Sequence, residues 1–269
     1  MENILIVGGG IFGVSTAYHL ARRIPDPSRI TLLDRAPAPS NTAASTDINK
    51  IIRADYSSPL YMQLGLEAID GWKSLPFFQD AGVYHQSGWI AMDEKTSDVP
   101  QRIRQNFRAC GQDDSIVDLT EDEVRTRWGG LLRQTDCRPF GSYYFNPSAG
   151  WADAGDALRI LATEAVKLGV NYEVGEASRV VWGDGRVQGV ETVDGRSYTA
   201  DKVLLATGAW TSQLMSSIEA ELELDEADRM ECQVSAAGVC VAHFNLSDAE
   251  KEAYSQLPVL VYGEQGEYC

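Results

Sequence analysis

Three glycines near the start of the chain, Gly8, Gly10 and Gly13, have the spacing G-x-G-x-x-G, and Asp34 follows 21 residues after the last of them. Between a strand and a helix, this spacing is typical of a dinucleotide site. The first glycine permits a tight turn, the second lets the backbone approach a pyrophosphate, and the third lets the helix pack closely against the strand. The helix N-terminus attracts the phosphates, and the acid accepts hydrogen bonds from the ribose hydroxyls.

The elements around these residues have the order that the site requires. Residues 3–7 (NILIV) form a short apolar run typical of a buried parallel strand, and apolar residues recur at helical spacing from Phe12 to Ile24. Residues 30–33 (ITLL) predict a second buried strand, which ends at Asp34. The first 34 residues therefore predict one complete βαβ unit with a dinucleotide site at its turn.

The chain after Asp34 favours FAD over NAD as the dinucleotide. An NAD-binding domain normally continues with alternating strands and helices, whereas here a long polar loop (36–47) follows the second strand. The chain later returns with a helix, predicted strands that form a β-meander between 170 and 193, and the segment 203–208 (VLLATG). A second strand that ends in glycine far along the chain suits a longer, extended cofactor, so an NAD-dependent dehydrogenase is the less favoured alternative.

Composition excludes several other classes of protein. The formal net charge of −16 over 269 residues argues against a nucleic-acid-binding surface, which needs clustered Lys and Arg. Five scattered cysteines fit neither a disulfide framework nor a CxxC site, and the three histidines have no metal-ligand spacing, so we expect no metal. Without a basic leader or a long apolar run, we expect a soluble intracellular protein with no membrane contact.

The predicted fold is α/β, or α+β overall, with two domains. A Rossmann-like FAD-binding domain with a βαβ start and a β-meander comprises 1–82 and 146–218, and an incomplete antiparallel-sheet substrate domain comprises 83–145 and 219–269. Further predicted elements are a helix over 60–75 and a strand pair within 83–92. The segment 232–244 is predicted to be β-rich.

Four segments resemble the D-amino-acid-oxidase-like FAD oxidoreductases: 7–13 (VGGGIFG), 47–56 (DINKIIRADY), 150–157 (GWADAGDA) and 190–210. Within these, the sequence is most similar to fructosyl amino acid oxidases, with sarcosine, saccharopine and pipecolate oxidases as cousins. The resemblance implies oxidation of the C–N bond of a secondary amine or N-substituted amino acid by hydride transfer to flavin. Imine hydrolysis and re-oxidation by O₂ then follow. It also implies a small-molecule substrate, a monomer, and a cytoplasmic or peroxisomal location. A specialised-metabolite amine is an alternative substrate.

The resemblance also assigns roles to individual residues. Lys50 corresponds to a lysine beside the isoalloxazine ring, and Arg53 to an arginine that holds the substrate carboxylate. A cation offsets the negative charge of a flavin that gains hydride, and a fork-shaped guanidinium suits a carboxylate. Residues three apart on a regular strand lie on opposite faces, so a shared site requires an irregular segment. The cofactor-binding positions that it implies are Gly8, Gly10, Ile11, Phe12, Gly13, Asp34, Arg35, Asn49, Lys50, Val180, Thr207 and Gly208.

Two departures from the family pattern affect the expected activity. A second lysine that assists the reaction with O₂ corresponds to Ala237 here, and no lysine occurs between Lys202 and Lys251. We therefore expect slow re-oxidation. The family also continues well past Cys269 and carries there the cysteine that links flavin covalently in many members. The chain is therefore expected to be truncated, and a catalytically impaired FAD-binding pseudoenzyme or interaction module remains an alternative function.

Overall fold

The computed structural model describes residues 2–112 and 116–262. Its strands are β1 (Ile4–Val7), β2 (Ile30–Asp34), β3 (Lys50–Ile52), β4 (Tyr84–His85), β5 (Trp89–Glu94), β6 (Val117–Asp118), β7 (Phe140–Asn146), β8 (Gly150–Ala152), β9 (Asn171–Val174), β10 (Ala177–Gly183), β11 (Arg186–Thr192), β12 (Ser197–Thr199), β13 (Lys202–Leu205) and β14 (Val259–Tyr262). Its α-helices are α1 (Ile11–Ala21), α2 (Pro59–Ser74), α3 (Pro76–Ala81), α4 (Val99–Ala109), α5 (Glu121–Thr126), α6 (Ala154–Lys167), α7 (Thr211–Glu221), α8 (Met230–Gln233) and α9 (Asp248–Tyr254).

The chain divides into two compact units. The first unit comprises Met1–Ile48 and Ala154–Val241, and the second comprises Asn49–Asp153 and Ala242–Cys269. This division differs from the expected domain boundaries: residues 49–82 and 146–153 belong to the second unit, and residues 219–241 belong to the first. Strand β3 pairs with β8, which also pairs with β4, and this pairing ties the chain after residue 49 to the second unit. The cofactor and substrate roles of the two units remain predictions.

A four-stranded parallel sheet forms the centre of the first unit, with the strand order β13-β1-β2-β9. Strands β1 and β2 pair in register from Ile4 opposite Ile30 to Val7 opposite Leu33, and α1 connects them. The side chains of Leu5, Ile6 and Val7 are buried, as the continuous apolar run predicts. The predicted βαβ start is confirmed. Helices α1 and α6 pack against each other beside this sheet.

The antiparallel meander β10-β11-β12 packs against the parallel sheet together with α7. One buried cluster joins sheet, meander and helix: Leu5, Val7, Leu33, Val180, Val190, Leu214 and Ile218. Asp184 and Gly185 both have positive φ, of 51° and 72°, which is the conformation that a two-residue hairpin turn requires. Asp-Gly is a favoured residue pair for such a turn, which joins β10 to β11.

The second unit contains a sheet of order β14-β5-β7-β6 and a small antiparallel sheet of order β3-β8-β4. A cluster of buried side chains under α2 and α4 forms its core, including Met62, Trp89, Ile103, Phe107 and Tyr144. No helix of the described residues is long and apolar enough to cross a bilayer.

Two predicted elements of the second unit differ in the structure. The prediction of a strand pair within 83–92 is wrong. Two strands form there, but β4 pairs with β8, while β5 pairs with β7 and β14. The helix predicted over 60–75 ends at Ser74. Leu75 has an extended conformation (φ −72°, ψ 118°) because Pro76 follows it, and a residue before proline is disfavoured in the α region.

The prediction that the segment 232–244 is β-rich is also wrong. Helix α8 extends to Gln233, and residues 234–247 form no regular strand. Apolar alternation favours a strand only where a neighbouring strand can accept and donate its backbone hydrogen bonds. This segment instead exposes its apolar side chains, with Val239 87% and Phe244 83% exposed.

Candidate functional site

A cavity of about 560 Å³ opens in the first unit, at the carboxyl ends of β1 and β2. This is where ligands bind in open α/β sheets. Its walls come from the turn after β1, the end of β2, the loop 40–45, the link between β9 and β10, and the segment 206–214. The lining residues are Val7, Gly8, Gly10, Ile11, Phe12, Leu33, Asp34, Arg35, Ser40, Thr42, Ala43, Ala44, Ser45, Gly175, Glu176, Ala177, Ser178, Val193, Ala206, Thr207, Gly208, Ala209, Trp210, Gln213 and Leu214.

The first and third glycines of the motif lie so close to neighbouring backbone that only glycine fits at either position. Gly8 has φ +110°, and a Cβ atom there would lie 2.3 Å from the Ala206 carbonyl oxygen. A Cβ atom on Gly13 would lie 1.8 Å from the Gly8 carbonyl oxygen. Both separations are far below a van der Waals contact, so any side chain would force strand, turn and helix apart. Gly13 lies under the turn and does not line the cavity.

The N-terminus of α1 faces the same cavity. Gly10 is the N-cap residue, and Ile11 and Phe12 begin the helix. The Ile11 backbone N–H donates to the Ser45 hydroxyl at 2.9 Å. A helix N-terminus has N–H groups without partners inside the helix and carries a positive partial charge. The Ser45 hydroxyl therefore occupies the acceptor position at this helix N-terminus. An oxygen of a bound anion could accept the same hydrogen bond from Ile11.

Asp34 holds the end of β2 against the glycine turn. Its Oδ2 accepts from the Gly9 N–H at 2.5 Å, and its Oδ1 accepts from the Ala36 N–H at 3.2 Å. The side chain also lines the cavity. Because each carboxylate oxygen can accept two hydrogen bonds, both oxygens keep capacity for a sugar hydroxyl.

Tyr172 of β9 supports this arrangement from the neighbouring strand. Its hydroxyl donates to the Ala36 carbonyl at 2.9 Å, and a Cβ on Gly9 would lie 2.7 Å from the same hydroxyl. Burial, and then the adjacent charge of Asp34, raise the pKa of Tyr172 above its ordinary value. The phenol therefore stays protonated and keeps its donor across the neutral range.

Arg35 and Trp210 meet at the cavity wall. The Arg35 guanidinium lies 4.5 Å from the centre of the Trp210 ring, and one of its nitrogens lies 3.7 Å from Glu176. All three side chains line the cavity. This stack of a cation on an aromatic ring supplies a flat surface beside Asp34.

The cavity brings together most of the predicted cofactor residues: Gly8, Gly10, Ile11, Phe12, Asp34, Arg35, Thr207 and Gly208. Val180 does not line it, because that residue pairs with Val190 and is buried between meander and sheet. The sequence interpretation missed residues 175–178, Ser45 and Trp210. Trp210 directly follows the ATGA run of 206–209, so extending that motif would have found it.

Asn49 and Lys50 belong to the second unit and are exposed. Lys50 begins β3, where it pairs with Ala152 of β8. Arg53 lies just after the strand, which ends at Ile52, so strict alternation between strand faces does not apply to the pair. Their roles beside flavin and substrate remain predictions.

Arg53 lies close to two aromatic rings within the second unit. Its guanidinium carbon lies 4.2 Å from the centre of the Tyr56 ring and 5.2 Å from that of Trp89. Its Nη1 donates to the carbonyl oxygen of Asp55. Stacked guanidinium groups keep their charge and present their remaining N–H donors along the edge of the plane, a geometry that matches a carboxylate.

The turn that carries Arg53 is fixed from two sides. The Asn106 amide of α4 donates to the carbonyl oxygens of Tyr56 and Ser57, at 3.1 and 2.8 Å. The Asn146 amide of β7 donates to Asp55 Oδ2 at 2.9 Å.

Among the described residues, no group of three or more His, Cys, Asp or Glu could hold a metal ion.

A family model described as FAD dependent oxidoreductase (DAO) matches residues 3–260. The L-saccharopine oxidase of Schizosaccharomyces pombe is 30% identical over 275 residues, which cover 96% of this chain and 60% of that protein. The peroxisomal sarcosine oxidase of Homo sapiens is 27% identical over 221 residues, which cover 82% of this chain and 54% of that protein.

A modified fructosyl peptide oxidase from Aspergillus nidulans superimposes with a TM-score of 0.75 and 31% identity, over 97% of this chain and 59% of that chain. This likeness confirms the predicted mixed α/β architecture. The chain thus spans between 54% and 60% of the length of these three relatives.

Proposed function

The chain belongs to the DAO family of FAD dependent oxidoreductases, and on that premise we propose that it oxidises the C–N bond of a secondary amine or N-substituted amino acid. The observation that carries this proposal is the cavity at the glycine turn, where bare backbone, a helix N-terminus and Asp34 converge. Relatives named for saccharopine, sarcosine and fructosyl peptides support the choice of substrate class.

The residues of the cavity fit FAD. Gly8 and Gly10 leave the backbone open to a pyrophosphate, and the N-terminus of α1 stabilises its charge. Asp34 binds the ribose hydroxyls through the lone pairs that Gly9 and Ala36 do not use. The Arg35–Trp210 stack and residues 175–178 border the adenosine portion. When bound, FAD supplies an acceptor for the hydride that leaves the substrate carbon.

Arg53 is the residue to which we assign the substrate carboxylate. An N-substituted amino acid carries a planar anion beside the amine that is oxidised, and a guanidinium binds such an anion with two parallel hydrogen bonds. The contacts with the Tyr56 and Trp89 rings restrict the orientation of the guanidinium. Anchoring the carboxylate in this way restricts where the adjacent carbon of the substrate can lie.

Lys50 is the second cation of the proposed reaction. We assign to it the stabilisation of the negative charge that develops as hydride is transferred, since a fixed cation is most effective where charge appears. O₂ is the proposed final electron acceptor. Because Ala237 occupies the position of the second lysine of the family pattern, we assign this step to Lys50 alone.

An anaerobic reduction experiment tests this proposal. The protein is reconstituted with FAD and mixed, without O₂, with sarcosine, saccharopine or fructosyl-lysine while the flavin absorbance is followed. We expect one of these amines to bleach the flavin, and Arg53→Ala to need a far higher amine concentration at unchanged FAD content. A protein that binds FAD yet stays yellow with every secondary amine would instead favour the binding-module alternative.

A further inference from the structure

The second unit contains a buried acid beside the predicted substrate arginine. Asp55 is 1% exposed, and it follows Arg53 by two residues in the turn after β3. A carboxylate in such a place must either be paired with a cation or remain protonated, because an isolated buried charge is strongly unfavourable. The protonation state of Asp55 therefore matters for the charge balance of the turn that carries Arg53.

The contacts of Arg53 avoid the side chain of Asp55. The guanidinium donates to the backbone carbonyl of Asp55 and stacks on Tyr56 and Trp89. The carboxyl oxygen Oδ2 instead accepts from the neutral Asn146 amide. The backbone of Asp55 thus orients the arginine, while its side chain anchors the turn to β7.

Burial raises the pKa of Asp55 above its ordinary value, against the opposing effects of the Asn146 hydrogen bond, the Arg53 charge and the Tyr144 side chain. The titratable groups that face it are Arg53 from its own segment and Tyr144 from β7. Arg104 of α4 lies 5.4 Å from the centre of the Tyr144 ring. Desolvation outweighs these opposing effects, so burial favours the protonated form of Asp55 more than it would at an exposed aspartate.

We propose that Asp55 is a positioning residue that anchors the turn through Asn146 and stays uncharged beside Arg53, so that the guanidinium presents its full positive charge to a carboxylate-bearing substrate. Once Asp55 ionises, the new anion competes with the substrate for the same cation. Carboxylate binding therefore weakens with rising pH. This inference rests on the proposed function of Arg53. It adds that the protonation state of Asp55 controls how strongly Arg53 binds a carboxylate.

Two measurements on the FAD-loaded protein test the inference. The first is calorimetric affinity between pH 5 and 9 for N-acetylglycine, an anion that lacks an oxidisable amine, and for its neutral amide. The second is carbon-13 NMR titration of the aspartate carboxyl groups. The variants are Asp55→Asn, which mimics the neutral acid and can accept from Asn146, and Asp70→Asn, the same change at an exposed site of α2.

The wild-type protein and Asp70→Asn should lose affinity for N-acetylglycine by about tenfold as Asp55 ionises. Asp55→Asn should bind as tightly at high pH as the wild type does at low pH, and the neutral amide should show no such trend. An unchanged pH trend in Asp55→Asn, or binding about tenfold weaker at every pH, would overturn the inference.

The NMR titration separates failure of the inference from failure of the proposed function. If N-acetylglycine binds to no variant, the carboxylate role of Arg53 is wrong. The carboxyl signal that disappears in Asp55→Asn then decides the state of the acid. Titration above the ordinary range of aspartate, with a shift in Arg53→Lys, supports a neutral acid coupled to Arg53. Titration at or below that range contradicts it.

Discussion

The carboxylate of Asp34 accepts a hydrogen bond from the backbone N–H of Gly9 at 2.5 Å, so the acid that ends β2 is joined to the turn that ends β1. One side chain thereby shapes the backbone of the predicted phosphate cradle and also faces the cavity. Cradle and ribose site are consequently coupled, and variants on either side of this bond should affect both.

Substitution of the third motif glycine should destabilise the first unit. A Cβ atom on Gly13 would lie 1.8 Å from the Gly8 carbonyl, so Gly13→Ala should lower the free energy of unfolding by about 1–3 kcal/mol or prevent folding. Gly71→Ala is the matched control, because a Cβ there has nothing within 4 Å and Gly71 lies inside α2. It should stabilise by about 0.5–1 kcal/mol. Urea denaturation compares them, and equal stabilities would contradict the packing role.

Tyr172 should make the protein lose stability at alkaline pH. Burial raises its pKa above the ordinary value of 10.0, so the folded state keeps the phenol proton while the unfolded state releases it. Stability should therefore fall as pH rises above about 10. Tyr172→Phe should lose about 1 kcal/mol at neutral pH through the missing hydrogen bond to Ala36. Its further decline above pH 10 should be smaller than in the wild type, and parallel curves would exclude this role.

Much of the first unit follows from local sequence signals, whereas the assembled site does not. The strands around the glycine turn were predictable because burial on both faces imposes a continuous apolar run. Residues 175–178 reach the cavity only because β9 pairs with β2, a contact between segments far apart in the chain. Trp89 likewise stacks on Arg53 across more than thirty residues. Such convergence leaves no periodic signal.

Asp55 should make stability depend on pH in the acidic to neutral range. Its pKa is raised above 3.8 by burial, so the folded state retains a proton that the unfolded state has lost. Stability should fall as pH rises from about 3.8 through the folded pKa. Asp55→Asn lacks this titration, so its stability relative to the wild type should increase over that window. Thermal unfolding at several pH values measures this, and a constant difference would mean that Asp55 is ionised in the folded protein.

The absence of a lysine at Ala237 predicts slow re-oxidation of the reduced protein. A cation near the flavin favours electron transfer to O₂ by stabilising the negative charge that forms. Stopped-flow mixing of the reduced, FAD-loaded protein with oxygenated buffer measures the rate. We expect Ala237→Lys to increase the rate, with Ala237→Leu as the uncharged control. Re-oxidation as fast as in typical amine oxidases would contradict this expectation.

We expect the cavity of the first unit to bind FAD through the glycine turn and Asp34. Titration of the protein with FAD, followed by equilibrium dialysis and flavin fluorescence, measures this binding. We expect one FAD per chain, and weaker binding by about ten- to a hundredfold in Asp34→Ala, because hydrogen bonds to a charged group are lost. Arg53→Ala should keep the wild-type affinity. An unchanged FAD affinity in Asp34→Ala, or no FAD binding by the wild type, would show that this cavity is not the FAD site.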